Sequence, residues 1–194
     1  MKQRVASLLV ALAGAISAAH AAETETVIDF EQTEIGKPTP EYTEKGVVFT
    51  LAGPLTQSKA KGRVMFFPHL TTSHKGILNA MATEQAVPVL AKFPVSVSSV
   101  TLVLWGSTGC PALVEALDQD GAVVDKMSLA AVPGRKAPAD PVPFVELTVK
   151  APEIAAIRFS GPRNGEFLAA DEIRFTPVDS NQVRATAGIP GPTQ

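Results

Sequence analysis

The sequence predicts an all-β fold, a two-sheet antiparallel jelly-roll β-sandwich. Short apolar runs of strand length recur at intervals of roughly ten residues, and turn residues separate them. The 16 prolines and 14 glycines suit many short elements joined by turns. A chain of 194 residues allows one domain or at most two small ones, and about ten strands on this length suit two packed sheets.

Each apolar run is interpreted as one strand, bounded by turn residues or proline. In chain order the predicted strands span residues 27–31, 47–51, 63–67, 87–93, 98–105, 112–117, 122–129, 143–149, 154–160 and 166–176. Both alternating faces of 98–105 are mostly apolar, which is typical of a central strand. Asp120-Gly121 and Asn164-Gly165 predict tight hairpin turns, whereas residues 68–79 and 133–141 are expected to be ordered loops.

The N-terminus has the three zones of a secretory signal peptide. Lys2 and Arg4 precede an uncharged apolar segment over residues 5–19, and Ala19-His20-Ala21 fits the small-x-small cleavage pattern. The apolar segment is shorter than the roughly 20 residues of a membrane-spanning helix, and no other segment is apolar enough to span. We therefore expect cleavage of residues 1–21 and export to the periplasm or beyond the cell.

The composition limits the kinds of domain and of binding partner that the rest of the chain can have. We expect one β-sandwich domain over residues 26–178, followed by a flexible polar tail over 179–194. The net charge of −2 and the absence of a basic run exclude a polybasic nucleic-acid binder. The single cysteine, Cys110, excludes a disulfide framework and a cysteine-only zinc site. Its role and the oligomeric state are left open.

Six short sequence segments, taken in chain order, resemble those of a known group of proteins. The series comprises Ile28-Asp29-Phe30-Glu31, Gly46-Val47-Val48-Phe49, Phe93-Pro94-Val95, Ala116-Leu117-Asp118-Gln119-Asp120-Gly121, Ile157-Arg158-Phe159-Ser160-Gly161 and Ala170-Asp171-Glu172-Ile173-Arg174-Phe175. Their order resembles the galactose-binding-like or discoidin-like jelly rolls of exported bacterial proteins, a group that includes many carbohydrate-binding modules. The resemblance implies a fold, and it is compatible with a non-enzymatic domain that binds a ligand such as a glycan or has a structural role in the envelope or outside the cell.

Carbohydrate binding would need exposed aromatic faces, because the CH side of a pyranose packs on them. The candidate ligand-binding residues are Trp105, Tyr42, Phe67 and His69. Trp105 ends a strong central strand, so core packing is the alternative for its side chain. The small number of aromatic residues weakens the carbohydrate interpretation without excluding it.

The resemblance also implies a structural calcium ion. In calcium-holding jelly rolls, a carboxylate near the first strand and one on the last strand often meet at the sheet edge, and Glu31 and Asp171 stand at comparable places. We expect Ile173 and Phe175 to face the core, with Asp171 on the same parity near the end of the sheet. A second carboxylate there would favour a bound cation. The alternative is a pair of solvated carboxylates or partners of nearby arginines.

A second function class is a hydrolase or metalloenzyme whose site assembles around the loop of His69 and His74. These two imidazoles could share a metal, or one could act as a general base. Two ligands make an incomplete metal site, and Gly106-Ser107-Thr108-Gly109 lacks the spacing of a nucleophile elbow. The sequence therefore favours a non-enzymatic domain.

Overall fold

A computed structural model describes residues 24–52, 63–69, 72, 74–79, 87–160 and 168–178. The predicted signal peptide, the C-terminal tail and the Asn164-Gly165 turn lie outside these residues. The described part of the chain is all-β, which confirms the predicted fold class, and it contains no helix. It therefore contains no helix that could cross a membrane.

Ten strands make up the fold. They are β1 (Thr26–Ile28), β2 (Tyr42–Glu44), β3 (Val47–Leu51), β4 (Val64–Pro68), β5 (Lys75–Asn79), β6 (Val89–Gly106), β7 (Ala112–Leu117), β8 (Val123–Leu129), β9 (Val145–Ser160) and β10 (Leu168–Pro177). Every strand pair is antiparallel.

The strands form two layers that share β6 and β9. The first sheet runs β4-β5-β10-β6-β9, with β1 beside β10, and it uses the second half of β6 and the first half of β9. The second sheet runs β2-β3-β6-β9-β7-β8 and uses the other halves of the two long strands. The core fills the space between the sheets, and its largest fully buried side chains include Phe30, Phe49, Phe159, Leu102 and Ile173.

The two long strands differ from the prediction, which divided each of them in two. In β6 the ladder with β9 shifts register between Lys92 and Val97, and Pro94 lies in this stretch. A proline lacks the N–H that a ladder needs, so it is tolerated at such a bulge. The chain stays extended through the irregularity, and the strand passes from one sheet into the other there.

The loop expected at 68–79 contains a strand, β5, which pairs with β4 and β10. That part of the loop prediction is wrong. A Cβ on Gly76 would lie 2.9 Å from both the Trp105 Nε1 and the Ala169 Cβ, so the close packing of the strand requires glycine. Glycine and lysine are depleted in strands, so Lys75-Gly76 at the start of β5 does not predict a strand.

The last strand carries the bulge that sets the position of Asp171. Ile173 and Phe175 are buried in the core, as predicted. The register shifts between Ala170 and Glu172, so Asp171 is the extra residue of the ladder with β6. At this same point the other partner of β10 changes from β5 to β1. Asp171 therefore lies in the notch between the start of β5 and the end of β1.

Candidate ligand-binding face

The outer face of the first sheet carries a small aromatic patch, formed by Phe67, His69, Trp105 and Phe144. Along β4 the core residues Val64 and Phe66 alternate with outward residues, so Phe67 faces away from the core. Trp105 packs in a second, smaller hydrophobic cluster of four buried residues, which lies apart from the main core. That cluster comprises Leu78, Trp105, Val142 and Ala169.

The rings of the patch are held in a defined arrangement. The imidazole of His69 stacks on Phe144, with centroids 4.4 Å apart and planes inclined by 18°. It meets Trp105 edge to face at 4.9 Å. Trp105 is fully buried, whereas Phe67 and Phe144 are 38% and 37% exposed. Trp105 and His69 therefore form a buried support, and the two phenylalanines present apolar surface to solvent.

His69 is fixed by polar contacts as well as by the rings. Its Nδ1 lies 3.0 Å from the hydroxyl of Thr72, and its backbone N–H donates to the carbonyl of His74 at 2.8 Å. Burial lowers the pKa of His69, and the charges of His74 and Arg135 act in the same direction, against a hydrogen bond with the backbone of Val142. A neutral imidazole stacks on Phe144 without the cost of burying a charge.

A row of polar side chains lies beside the patch on the same sheet. The guanidinium of Arg174 lies 2.5 Å from Glu146 and 2.7 Å from Glu172, so it bridges two strands. The hydroxyls of Thr101 and Thr148 lie 2.8 Å apart on the neighbouring pair of strands. These groups offer hydrogen-bond donors and acceptors next to apolar rings, which is the combination that ligand sites use.

The notch lies along one edge of β10, between the start of β5 and the end of β1, and it brings the predicted acidic pair together. The Nδ1 of His74 lies 3.6 Å from Glu31 Oε1 and 3.5 Å from Asp171 Oδ2. The side chain of Asp171 is only 8% exposed, and its Oδ1 accepts no hydrogen bond from the described residues. Burial raises the pKa of Asp171 to about 6, with His74 opposing the shift and Glu31 adding to it.

The same edge contains a cation supplied by the chain. The ammonium of Lys75 donates to the backbone carbonyls of Glu31 at 2.5 Å and of Thr33 at 2.9 Å. Calcium takes six to eight oxygen ligands, and here the two carbonyls are engaged and an imidazole stands between the carboxylates. No group of three or more His, Cys, Asp or Glu side chains within the described ranges is spaced to hold a metal ion. These residues do not fit a calcium ion while Lys75 keeps its position, so the arrangement gives the sequence prediction of calcium no support.

The other candidates lie elsewhere. Tyr42 packs at the margin of the main core, with its ring 4.7 Å from Phe66, and its hydroxyl donates to Glu44. It therefore does not join the patch. Cys110 is buried in the core. His69 stacks on Phe144, whereas His74 lies between Glu31 and Asp171 and meets the Phe144 ring edge to face, with centroids 6.4 Å apart.

Phe144 is the member of the patch that the sequence interpretation did not select. The apolar residues at positions 145, 147 and 149 predict that this side of the strand faces the core, and residue 144 then lies on the outer side. The missing information was the three-dimensional arrangement of the strands, which brings Phe144 beside His69 at the end of the distant strand β4.

Comparisons with known proteins show similarity of fold only. No family model matches the sequence, and no curated protein matches it. One similar solved structure is an arabinose-bound GH51 α-L-arabinofuranosidase, at 11% identity and a TM-score of 0.46, covering 82% of this chain. This chain spans about a quarter of that enzyme's length, at 27%.

Two similar structures are modules of a size close to this chain. The apo CBM1 module of BiXyn10A has 12% identity and a TM-score of 0.43, covering 78% of this chain and 96% of the module. A family 29 carbohydrate-binding module complexed with mannohexaose has 10% identity and a TM-score of 0.42, covering 82% and 95%. The antiparallel strand pairing described above is that of a two-sheet β-sandwich, the predicted fold class.

Proposed function

We propose that this protein is an exported, non-enzymatic β-sandwich that binds carbohydrate on the outer face of its first sheet. The observation that carries the proposal is the aromatic patch, in which exposed Phe144 stacks on buried His69 and Trp105 supports His69, with exposed Phe67 on the same face. An apolar face supported in this way loses little conformational entropy when a ligand covers it.

The surroundings of the patch favour a sugar over a purely apolar ligand. A pyranose has an apolar CH face and a rim of hydroxyl groups, so it needs a ring to pack on and polar groups at its edge. Phe144 offers the ring, and Arg174, Glu146 and Glu172 offer donors and acceptors on the same face of the sheet. These charged groups are already paired with one another. A sugar hydroxyl can therefore form an additional hydrogen bond to them without leaving a charge unpaired.

Export is part of the proposal and rests on the N-terminal segment of the sequence. An exported domain meets the glycans of the cell envelope and its surroundings. The site needs no reaction chemistry for this role, and the glycan would be bound unchanged.

The experiment is a binding screen of the mature protein against neutral polysaccharides, followed by titration calorimetry with the best oligosaccharide. Phe144→Ala is expected to weaken binding about tenfold or more, since a covered phenylalanine contributes roughly 1.5–3 kcal/mol. Val95→Ala is the matched control, because Val95 is an exposed apolar residue (55%) away from the patch. Absence of binding to every glycan, or equal loss in both variants, would contradict the proposal.

The hydrolase alternative has weaker support. His74 and the two carboxylates do share one edge, but Asp171 is buried, and its Oδ1 is closed to solvent. A general acid or base has to come within hydrogen-bond reach of its substrate. The screen should therefore recover the bound oligosaccharide uncleaved.

A further inference from the structure

We propose that the ammonium of Lys75 is the resident cation of the sheet edge and occupies the role that the sequence prediction gave to calcium. The inference is independent of carbohydrate binding, because it concerns the loop after β1 and the start of β5. It assigns to Lys75 a specific task, to hold the carbonyls of Glu31 and Thr33 and so fasten one strand end to another.

The first argument is the convergence of carbonyl groups on one point. Lys75 is 44 residues from Glu31 and 42 from Thr33 along the chain, yet its Nζ bonds both carbonyl oxygens. Backbone carbonyls are common ligands of hard cations, and an ammonium with three donors meets the same need by hydrogen bonds. Two of the three N–H groups of Lys75 are thereby engaged.

The second argument is the shape of the loop that supplies these carbonyls. Phe30, which is fully buried, has a positive φ of 57°, a conformation that a bulky residue adopts only when its surroundings impose it. The backbone N–H and the hydroxyl of Thr33 both donate to the Phe30 carbonyl, which closes the turn. This turn leaves the carbonyls of residues 31 and 33 directed at the Lys75 ammonium.

The third argument is the charge of the edge. Asp29, Glu31 and Glu172 all act on buried Asp171 with negative charge, whereas His74 acts with the opposite sign. A concentration of carboxylates of this kind favours a cation nearby. His74 is the positive group in contact with the two carboxylates, and Lys75 places its ammonium at the backbone carbonyls of the adjoining loop. A covalently attached ammonium at those carbonyls needs no free ligand and pays no cost of association.

The test compares thermal unfolding of the mature protein in excess calcium chloride and in excess EGTA. The wild-type midpoint is expected to be the same in both. Lys75→Met keeps the length of the side chain and removes the charge, and it is expected to lower the midpoint by roughly 4–8 °C, since hydrogen bonds from a charged group are lost. Lys37→Met is the control, because Lys37 is exposed and only pairs with nearby Glu34, so a change of about 1–2 °C or less is expected.

Two results would overturn the inference. One is a rise of the wild-type midpoint with calcium, which would show that a metal ion binds with Lys75 in place. The other is a Lys75→Met midpoint equal to that of Lys37→Met. Calorimetric titration of the wild type with calcium decides the first point even if the Lys75 variant fails to fold, because it uses only the native chain.

Discussion

The imidazole of His69 lies nearly parallel to the ring of Phe144, 4.4 Å away, although His69 follows β4 and Phe144 precedes β9, strands at opposite ends of the first sheet. The contact joins the end of β4 to the start of β9 across the top of β5, β10 and β6. Burial lowers the pKa of His69 and so favours the uncharged imidazole, which connects the aromatic patch to pH.

His69 is therefore expected to make folding pH-dependent. Its pKa in the folded protein is lowered by burial, below the roughly 6.5 of an unfolded chain. Between the two values the unfolded chain binds more protons, so this contribution to stability is complete above about pH 6.5 and is lost as the pH falls below it. Denaturant unfolding from pH 7.5 to 5 should show a fall in the wild type that is smaller in His69→Gln. Identical slopes in the two proteins would refute the assignment.

Asp171 is expected to give folding stability the opposite pH dependence from His69. Its pKa rises from 3.8 to about 6 because burial disfavours the carboxylate. The folded protein therefore binds the proton more tightly than the unfolded chain, and stability falls as the pH rises from about 4 to about 6. Asp171→Asn removes this cost, and its free energy of unfolding should exceed that of the wild type by roughly 1–3 kcal/mol at pH 7.5.

The Asp171→Asn advantage should shrink toward zero near pH 4, where the native carboxyl is protonated. Glu172→Gln is the control, because Glu172 neighbours Asp171 but is only half-buried and already pairs with Arg174. A less stable Asp171→Asn at pH 7.5 would mean that the ionised carboxylate has a stabilising partner, a bound cation included.

Gly76→Ala should destabilise the first sheet. The added Cβ would lie 2.9 Å from the Trp105 Nε1 and the Ala169 Cβ and 3.1 Å from the Ala170 carbonyl oxygen. Overpacking of this kind costs roughly 1–3 kcal/mol, equivalent to a fall of about 3–10 °C in the unfolding midpoint. Gly121→Ala is the comparison, because a Cβ there meets nothing within 4 Å and only the positive φ of 81° opposes it. A larger fall in Gly121→Ala would contradict the packing argument.

Export can be checked by intact mass. Expression in a secreting bacterial host should give a protein that begins near Ala21 or Ala22, because signal peptidase cleaves after the small-x-small motif. Replacement of Ala19 and Ala21 by bulky residues should block cleavage and leave the precursor. Recovery of wild-type protein that retains Met1 outside the cytoplasm would contradict the prediction.

The sequence was sufficient to predict the fold class because alternation and turn chemistry are local signals. Asp120-Gly121 illustrates this, since Gly121 has a positive φ in a turn that Asp118 closes with its own side chain. The strand at Gly76 was not predictable, because the reason for the glycine is a tryptophan from another strand. Likewise, the bulge at Asp171 lies where the neighbour of β10 changes from β5 to β1. A local sequence pattern contains no information about such a change of neighbour.

The position of β10 has a consequence for the order in which the molecule assembles. Among the described strands, β10 comes last in chain order, yet it lies in the interior of the first sheet, with β6 on one side and β5 and β1 on the other. Until β10 is formed, those strands have unpaired edges, and Thr26 lacks its pairing partner Phe175. The first sheet therefore closes only after residues 168–177 have been synthesised, and a stop anywhere before Leu168 removes a strand from the interior of the sheet.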